Sequence, residues 1–172
     1  MNQVEYFGRG PAENYLDRNA GSMVGLYKST AEELYFPYVR PQENGHHTDT
    51  RWVSLSTGKK GLLIQADNTI GFNALRNSIE DFDDEEATGL SRQWSNFTPE
   101  QVANHDEAAA KNVLRRQHHI NNITPRDFVE VCVDLKQQGV AGYDSWGSRP
   151  EPAYTLPANR EYNWGFTLIP LK

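Results

Sequence analysis

The chain has 172 residues, the length of one ordinary domain, so residues 1–172 are predicted to form a single domain. Seventeen Lys and Arg against 23 Asp and Glu leave a net charge of −6, which disfavours general nucleic-acid binding because neutralising phosphates requires a basic face. The single cysteine, Cys132, excludes an internal disulfide, and no apolar run approaches the roughly 20 residues that span a bilayer. We therefore expect a soluble domain, without nucleic-acid or membrane partners, that is stabilised by packing.

Most of the predicted elements are strands separated by turns rich in glycine and proline. In chain order, the patterns predict strands over residues 4–7, 21–28, 51–56, 62–67, 72–76, 128–135 and 162–169. The clearest is 128–135, where apolar residues alternate with polar ones as in a half-buried antiparallel strand. Helix signals are confined to a capping box at 98–101 and three alanines within 106–111. The pattern predicts an all-β antiparallel fold with one or two short helices.

Three groups of polar residues contain side chains that can bind metals, but none has suitable spacing. Residues 81–86 hold five carboxylates but lack the turn glycine of an EF-hand, which indicates a solvated acidic loop. His46 with His47, and His118 with His119, are adjacent pairs. On a strand the two members of a pair would point to opposite faces and could not bind the same ion, so we interpret them as loop histidines rather than metal ligands. Nucleophile, phosphate-loop and zinc-protease motifs are missing from the sequence, and no cofactor is expected in this chain.

Aromatic residues make up 11% of an otherwise polar chain and include four tryptophans. Carbohydrate sites favour aromatic rings, because a ring face covers the apolar C–H face of a sugar. A single ring is nevertheless more often buried, given the apolar area it removes from water. We therefore expect Trp52 and Trp164 to be core residues, and composition alone would place Trp146 in the core too.

Three unrelated segments carry a family resemblance. They are YFGRGPAENYLDR at residues 6–18, PYVRPQENG at 37–45 and GVAGYDSWG at 139–147. In this order and spacing they resemble the C-terminal small-chain domain, the fifth domain, of the large β-galactosidases of glycoside hydrolase family two. The similarity extends from Val4 to Leu171. The family usually has Gly-Asp before its Asp-Ser-Trp, whereas this chain has Tyr143, and we expect that departure to alter only the local backbone bonding.

The resemblance implies an antiparallel supersandwich like that of galactose mutarotases, of which this chain would be the C-terminal part. A sandwich that lacks its earlier strands should leave sheet edges or apolar faces exposed. We expect such a chain to associate with a second copy rather than remain a closed monomer. The partners implied are the upstream catalytic barrel domain of the same enzyme and, as an alternative, a homo-oligomer.

The chemistry implied is retaining hydrolysis of β-galactosides by two glutamates roughly 5 Å apart, which belong to the barrel domain. None of the glutamates of this chain lies in a matching motif, so the isolated chain should be inactive. The resemblance assigns substrate stacking to Trp146, with Asp144 and Ser145 beside it as substrate-binding residues. Six charged or amide groups of the first two segments should have a mostly structural role, bonding turn backbones: Arg9, Glu13, Asn14, Arg18, Glu43 and Asn44.

Two alternatives come from other functional classes. One is a freestanding carbohydrate-binding β-sandwich, which a galactose titration followed by tryptophan fluorescence would reveal. The other is a mutarotase-like epimerase, which needs a histidine and a carboxylate facing one sugar; the candidates are His105, His118 or His119 with Glu130. Cytoplasmic and periplasmic locations are equally compatible with the sequence.

Overall fold

A computed structural model describes residues 1–82, 120–144 and 146–172. Both predicted helices lie outside these residues, as do Trp94 and the histidines at positions 105, 118 and 119. By its contacts the chain divides into two units. The first comprises Met1–Phe36, Asn44–Arg76 and Arg126–Lys172, and the second comprises Pro37–Glu43 and Asn77–Pro125. Within the described ranges, no helix combines the length and apolar character needed to cross a membrane.

The first unit is a six-stranded antiparallel sheet. Its strands are β1 (Gln3–Gly10), β2 (Met23–Thr30), β3 (His47–Ser56), β4 (Gly61–Leu75), β5 (Glu130–Asp134) and β6 (Phe166–Leu171). They are ordered β2-β1-β3-β4-β5, and β6 also pairs with β4. In this unit the described helical structure is a short 3-10 turn at Pro152–Tyr154. The predicted all-β antiparallel class is therefore confirmed.

Strand β4 differs from the prediction, which divided it into two strands at residues 62–67 and 72–76. It is one strand of 15 residues, because neighbouring strands pair with residues 61–66 and 70–75 on either side of its middle. Strand β3 lies on one side, with register shifts at Thr50 that let the long strand bend. On the other side, β6 pairs with the first part and β5 with the last. The polar residues Asp67 and Asn68, which interrupt the sequence pattern, are exposed in the middle of β4.

The core lies on one face of this sheet. Tyr6, Val53 and Ile64 are directly paired across β1, β3 and β4, and all three are buried. The ring of Tyr6 also meets the rings of His47 and Phe72 edge-on, at centroid distances of 4.8 and 5.1 Å. Burial of each such side chain contributes about 1.5–3 kcal/mol, so this face accounts for much of the stability of the unit.

The opposite face, called here the outer face, also carries apolar side chains. They come from β2, β1, β3, β4 and β6, and register places Val24, Leu26, Phe7, Trp52, Leu63 and Ile169 on it. Leu26 is 59% exposed, and Phe7 and Ile169 are also exposed. The family resemblance predicts exposed sheet edges or apolar faces in this chain. Association of two chains through it remains a prediction.

Two strand predictions near the C-terminus need correction. Strand β6 begins at Phe166 rather than at residue 162, and all six of its residues are exposed. Trp164 therefore precedes the strand, is 46% exposed and packs on Phe166, so its assignment to the core is wrong. Trp52 is half-buried on β3. Strand β5 is half-buried on both faces, and its predicted alternation of burial is not observed.

The second unit is described only in part. Short 3-10 turns occur at Ile79–Asp81 and Ile120–Asn122. Backbone and side-chain bonds hold its pieces together: Ile120 N–H donates to Val39 O at 3.2 Å, and Asn77 Nδ2 donates to Thr124 O at 3.0 Å.

Candidate functional site

The segment at residues 139–147, called here the tryptophan loop, presents one large side chain to solvent. Trp146 is 93% exposed, so composition alone would have misplaced it in the core. Its backbone N–H donates to Asp144 Oδ1 at 2.8 Å, a local turn that orders the residues on both sides of position 145. Ser145 itself lies outside the described residues. Trp146 and Asp144 are thus close to one another at an exposed site.

The backbone of the tryptophan loop is held in left-handed conformations. Gly142 and Gly147 have φ values of +83° and +79°, a backbone region that residues other than glycine avoid. Ala141 adopts φ +56° despite its Cβ. The N–H of Tyr143 donates to Ser148 Oγ at 3.1 Å. The two glycines on either side of Asp144 and Trp146 therefore allow the sharp turns that project the indole ring.

A second segment contacts the tryptophan loop through Asp17. Asp17 Oδ1 accepts from Val140 N–H at 3.1 Å, and Oδ2 accepts from Ala141 N–H at 2.8 Å. The hydroxyl of Tyr143 lies 3.5 Å from Oδ2. Desolvation and the charge of Asp17 raise the pKa of Tyr143, so its hydroxyl keeps the proton that faces the carboxylate. The first and third motif segments are thus in direct contact.

Glu13 joins the first motif segment to the second. Its carboxylate is buried; Oε1 accepts from Arg18 Nη2 at 2.6 Å, and Oε2 accepts from Gly45 N–H at 2.7 Å. The hydroxyl of Tyr15 adds a third bond to Oε2 at 3.3 Å. A carboxylate with three donors serves as a structural anion rather than as a general acid or base.

Other motif residues bond backbone groups, as predicted. Asn14 Nδ2 donates to the carbonyls of Arg9 and Ala12, each at 3.1 Å, and its Oδ1 accepts from Thr48 N–H at 2.9 Å. Arg9 donates to Ser22 O at 2.9 Å. Asn44 Oδ1 accepts from the N–H of Phe36. The structural role predicted for Arg9, Glu13, Asn14 and Asn44 is confirmed in these bonds, whereas Arg18 bonds a side chain.

Of the two histidines interpreted as loop residues, His46 immediately precedes β3 whereas His47 is its first residue, and both are buried. His47 lies between two carbonyls, with Nδ1 2.9 Å from Gly45 O and Nε2 3.2 Å from Pro11 O. Burial lowers its pKa, although these carbonyls and Glu13 act in the opposite direction. Local alternation could not reveal this burial, because residues from distant segments cover both rings.

His46 is the more unusual of the pair. Burial, and secondarily His47, lower its pKa to about 4, so the ring is neutral at pH 7. Neither ring nitrogen has a hydrogen-bond partner among the described residues. Asp134 Oδ2 lies 4.0 Å from Nδ1, too far for a hydrogen bond, and with a neutral ring the two do not form an ion pair. A cavity of about 30 Å³ beside the ring has room for about two waters but not for a sugar.

The described residues do not bring together the groups that a metal site or an epimerase site would need. Across the described part of the chain, no three His, Cys, Asp or Glu side chains converge as a metal site would require. Glu130, the carboxylate named for an epimerase, is half-buried on β5 opposite Leu75. Its suggested histidine partners lie outside the described residues.

The fold and site together define an antiparallel β domain that presents Trp146 from a loop anchored by the half-buried carboxylate of Asp17. The chain belongs to the family described as Beta galactosidase small chain, whose profile matches residues 1–168. It is 34% identical to a β-galactosidase of Priestia megaterium over 172 residues, which is 99% of this chain and 14% of that protein. It is also 29% identical to a β-galactosidase of Streptococcus thermophilus over 170 residues, 98% of this chain and 14% of that protein. The chain therefore spans about one seventh of these relatives.

Proposed function

We propose that this chain is the C-terminal part of the fifth, small-chain domain of a family-two β-galactosidase. In this role it supports the catalytic barrel and supplies Trp146 as a ring that stacks on the β-galactoside. The sandwich would be of the galactose mutarotase type, and the enzyme would hydrolyse its substrate with retention through glutamates outside this chain. The observation that carries the proposal is the near-complete exposure of Trp146 in the third motif segment.

An indole exposed to this degree is unfavourable in water unless a partner covers it. A tryptophan side chain offers about 150–250 Å² of surface for burial, and its face matches the apolar C–H face of galactose. Asp144 uses Oδ1 to accept from the N–H of Trp146, which leaves Oδ2 to face a sugar hydroxyl. Ser145 would add a hydroxyl to the same site. Stacking and hydrogen bonding would then act on one sugar ring.

The outer face is the surface we assign to the rest of the enzyme. Its side chains Phe7, Leu26 and Ile169 are exposed and apolar, and such a face is usually covered in a complete protein. Both relatives described above are about seven times longer than the matched segment, so they contain ample chain for this purpose. We therefore favour upstream segments of the same polypeptide as the partner of this face.

Replacing Trp146 with alanine in a β-galactosidase that contains this chain should raise KM for a β-galactoside. Loss of the stacking contact should cost about 1–2 kcal/mol, or roughly 5- to 30-fold in KM, with the fold unchanged. Trp164→Ala is the matched control, because that ring packs on Phe166 outside the loop. A sharp fall in melting temperature for Trp146→Ala with unchanged KM would show that the ring is structural instead.

The chain on its own should not hydrolyse a chromogenic β-galactoside. Retaining hydrolysis needs two carboxylates about 5 Å apart, and Glu13, the buried carboxylate of the motif segments, is already bonded by three donors. The assay compares the repurified chain with a buffer blank and with a full-length β-galactosidase. Turnover that persists through a second purification would contradict the assignment of the catalytic groups to another domain.

A further inference from the structure

We infer that Asp17 is a positioning residue, whose carboxylate holds the tryptophan loop so that Trp146 is presented in one orientation. This inference rests on the proposed function of Trp146. The family resemblance assigns substrate contact to residues of the third segment and backbone bonding to six residues of the first two, and Asp17 is in neither group. The geometry gives Asp17 a direct connection to the third segment.

The contact has the features of a specific clamp. Two successive backbone N–H groups, of Val140 and Ala141, donate to the two oxygens of one carboxylate at 3.1 and 2.8 Å. Hydrogen bonds to an ionised carboxylate are about twice as strong as those between neutral groups. They hold Ala141 in its left-handed conformation, which residues with a Cβ otherwise avoid.

The close approach also constrains the start of the loop. A Cβ at Gly139 would lie 2.5 Å from Asp17 Oδ2, so only glycine lets the backbone approach this carboxylate so closely. The N–H of Gly139 donates to Tyr154 O at 2.8 Å, which fixes the strand-side end of the loop. The tryptophan loop is therefore held at both Gly139 and the following two residues.

Asp17 is itself held in place from the core. It is one of two central residues in a tight turn, closed by the bond from Arg18 N–H to Tyr15 O at 2.8 Å. The ring of Tyr15 is buried and stacked on His46, and Arg18 is paired with Glu13. Packing and ion pairing thus fix the turn in place, and Asp17 bonds the exposed tryptophan loop to it.

The position of Asp17 separates this role from a general contribution to stability. Its side chain is half-buried at the tip of a turn, outside the buried face of the sheet. Removing it should free the loop while leaving the core packing of Tyr6 and its neighbours unchanged. A displacement of about 1 Å in a substrate-contacting ring is enough to weaken binding and catalysis substantially.

The first measurement is hydrogen exchange on the chain itself, with Asp17→Ala, Asp17→Asn and Glu161→Ala. Asp17→Ala should speed exchange of the Val140 and Ala141 amides by about tenfold or more, because they lose their acceptor. Asp17→Asn keeps one acceptor oxygen and should give an intermediate effect. Glu161, an exposed residue that bonds Asn163, is the control and should leave both amides unchanged. Unchanged exchange in Asp17→Ala would overturn the inference, whatever Trp146 does.

The second measurement is a double-mutant cycle in a β-galactosidase that contains this chain. Asp17→Ala should raise KM about fivefold, and the double variant with Trp146→Ala should be no worse than Trp146→Ala alone, because both act through the same ring. Additive effects would overturn the positioning role. If Trp146→Ala leaves KM unchanged, the proposed function fails. If Trp146→Ala raises KM but Asp17→Ala does not, only the inference about Asp17 fails.

Discussion

Replacing Glu13 with alanine should lower the free energy of unfolding by about 3–5 kcal/mol. The substitution removes the acceptor for the buried N–H of Gly45 and for the hydroxyl of Tyr15, and each unsatisfied buried donor costs about 1–3 kcal/mol. It also removes the ion pair with Arg18, whose exposed side chain is solvated and adds little to the cost. Equilibrium unfolding in urea measures the change.

Two further variants make the Glu13 prediction specific. Glu13→Gln retains one side-chain oxygen for Gly45 and Tyr15 but replaces the oxygen that accepts from Arg18 with an N–H donor, so we expect a loss of about 1–3 kcal/mol, smaller than that of Glu13→Ala. Glu161→Ala removes an exposed glutamate and should leave stability within about 0.5 kcal/mol of the parent. Equal losses for Glu13→Ala and Glu161→Ala would show that the buried carboxylate contributes no more than a surface one.

Acidification from pH 7 to pH 4 should destabilise the chain by about 3 kcal/mol through His46 alone. The ordinary histidine pKa of 6.5 applies to the unfolded state, whereas burial lowers the folded pKa to about 4. Between these values the unfolded state binds the proton and the folded state does not. Stability is therefore fully present above pH 6.5, falls as the pH decreases and levels off below about pH 4.

The His46→Phe variant isolates this contribution. Both ring nitrogens lack partners among the described residues, so an apolar ring removes a desolvation cost and no hydrogen bond to those residues. The variant should match or exceed the parent in stability at pH 5 and should lose most of the slope between pH 6.5 and 4. Asp134, whose carboxyl pKa is raised by burial, contributes a slope of the opposite sign in both proteins and cancels in the comparison. If the slope of stability against pH is the same in both proteins, the pKa of His46 is not lowered by folding.

Hydrogen bonds between the motif segments give a structural role to polar residues that do not themselves belong to the exposed site at Trp146. Glu13 joins the first segment to Gly45 of the second, and Asp17 joins the first to the third. These bonds replace sheet hydrogen bonds where the chain leaves the strands. In the proposed function these bonds therefore support Trp146: Asp17 bonds the tryptophan loop directly, and Glu13 holds the segment that contains Asp17.

Some of these features follow from the sequence without coordinates. The alternation in residues 128–135 and the turns rich in glycine and proline predict antiparallel strands, because side chains in a strand point to opposite faces with a period of two. Strand β5 does form within 128–135, although its burial does not alternate. The all-β class depends on that local rule and is confirmed. The motif segments likewise indicate the family through their residues alone, and residues 1–168 match it.

Other features depend on contacts between residues that are distant in the chain. Strand β4 is continuous because β3, β5 and β6 bond it, although Asp67 and Asn68 interrupt its local pattern. His46 is buried under the ring of Tyr15, and no property of its neighbours in sequence predicts that contact. Asp17 bonds a backbone amide 123 residues away. A local pattern shows the periodicity of one segment. The burial of His46 and the bonds of Asp17 depend instead on which distant segments the folded chain brings together.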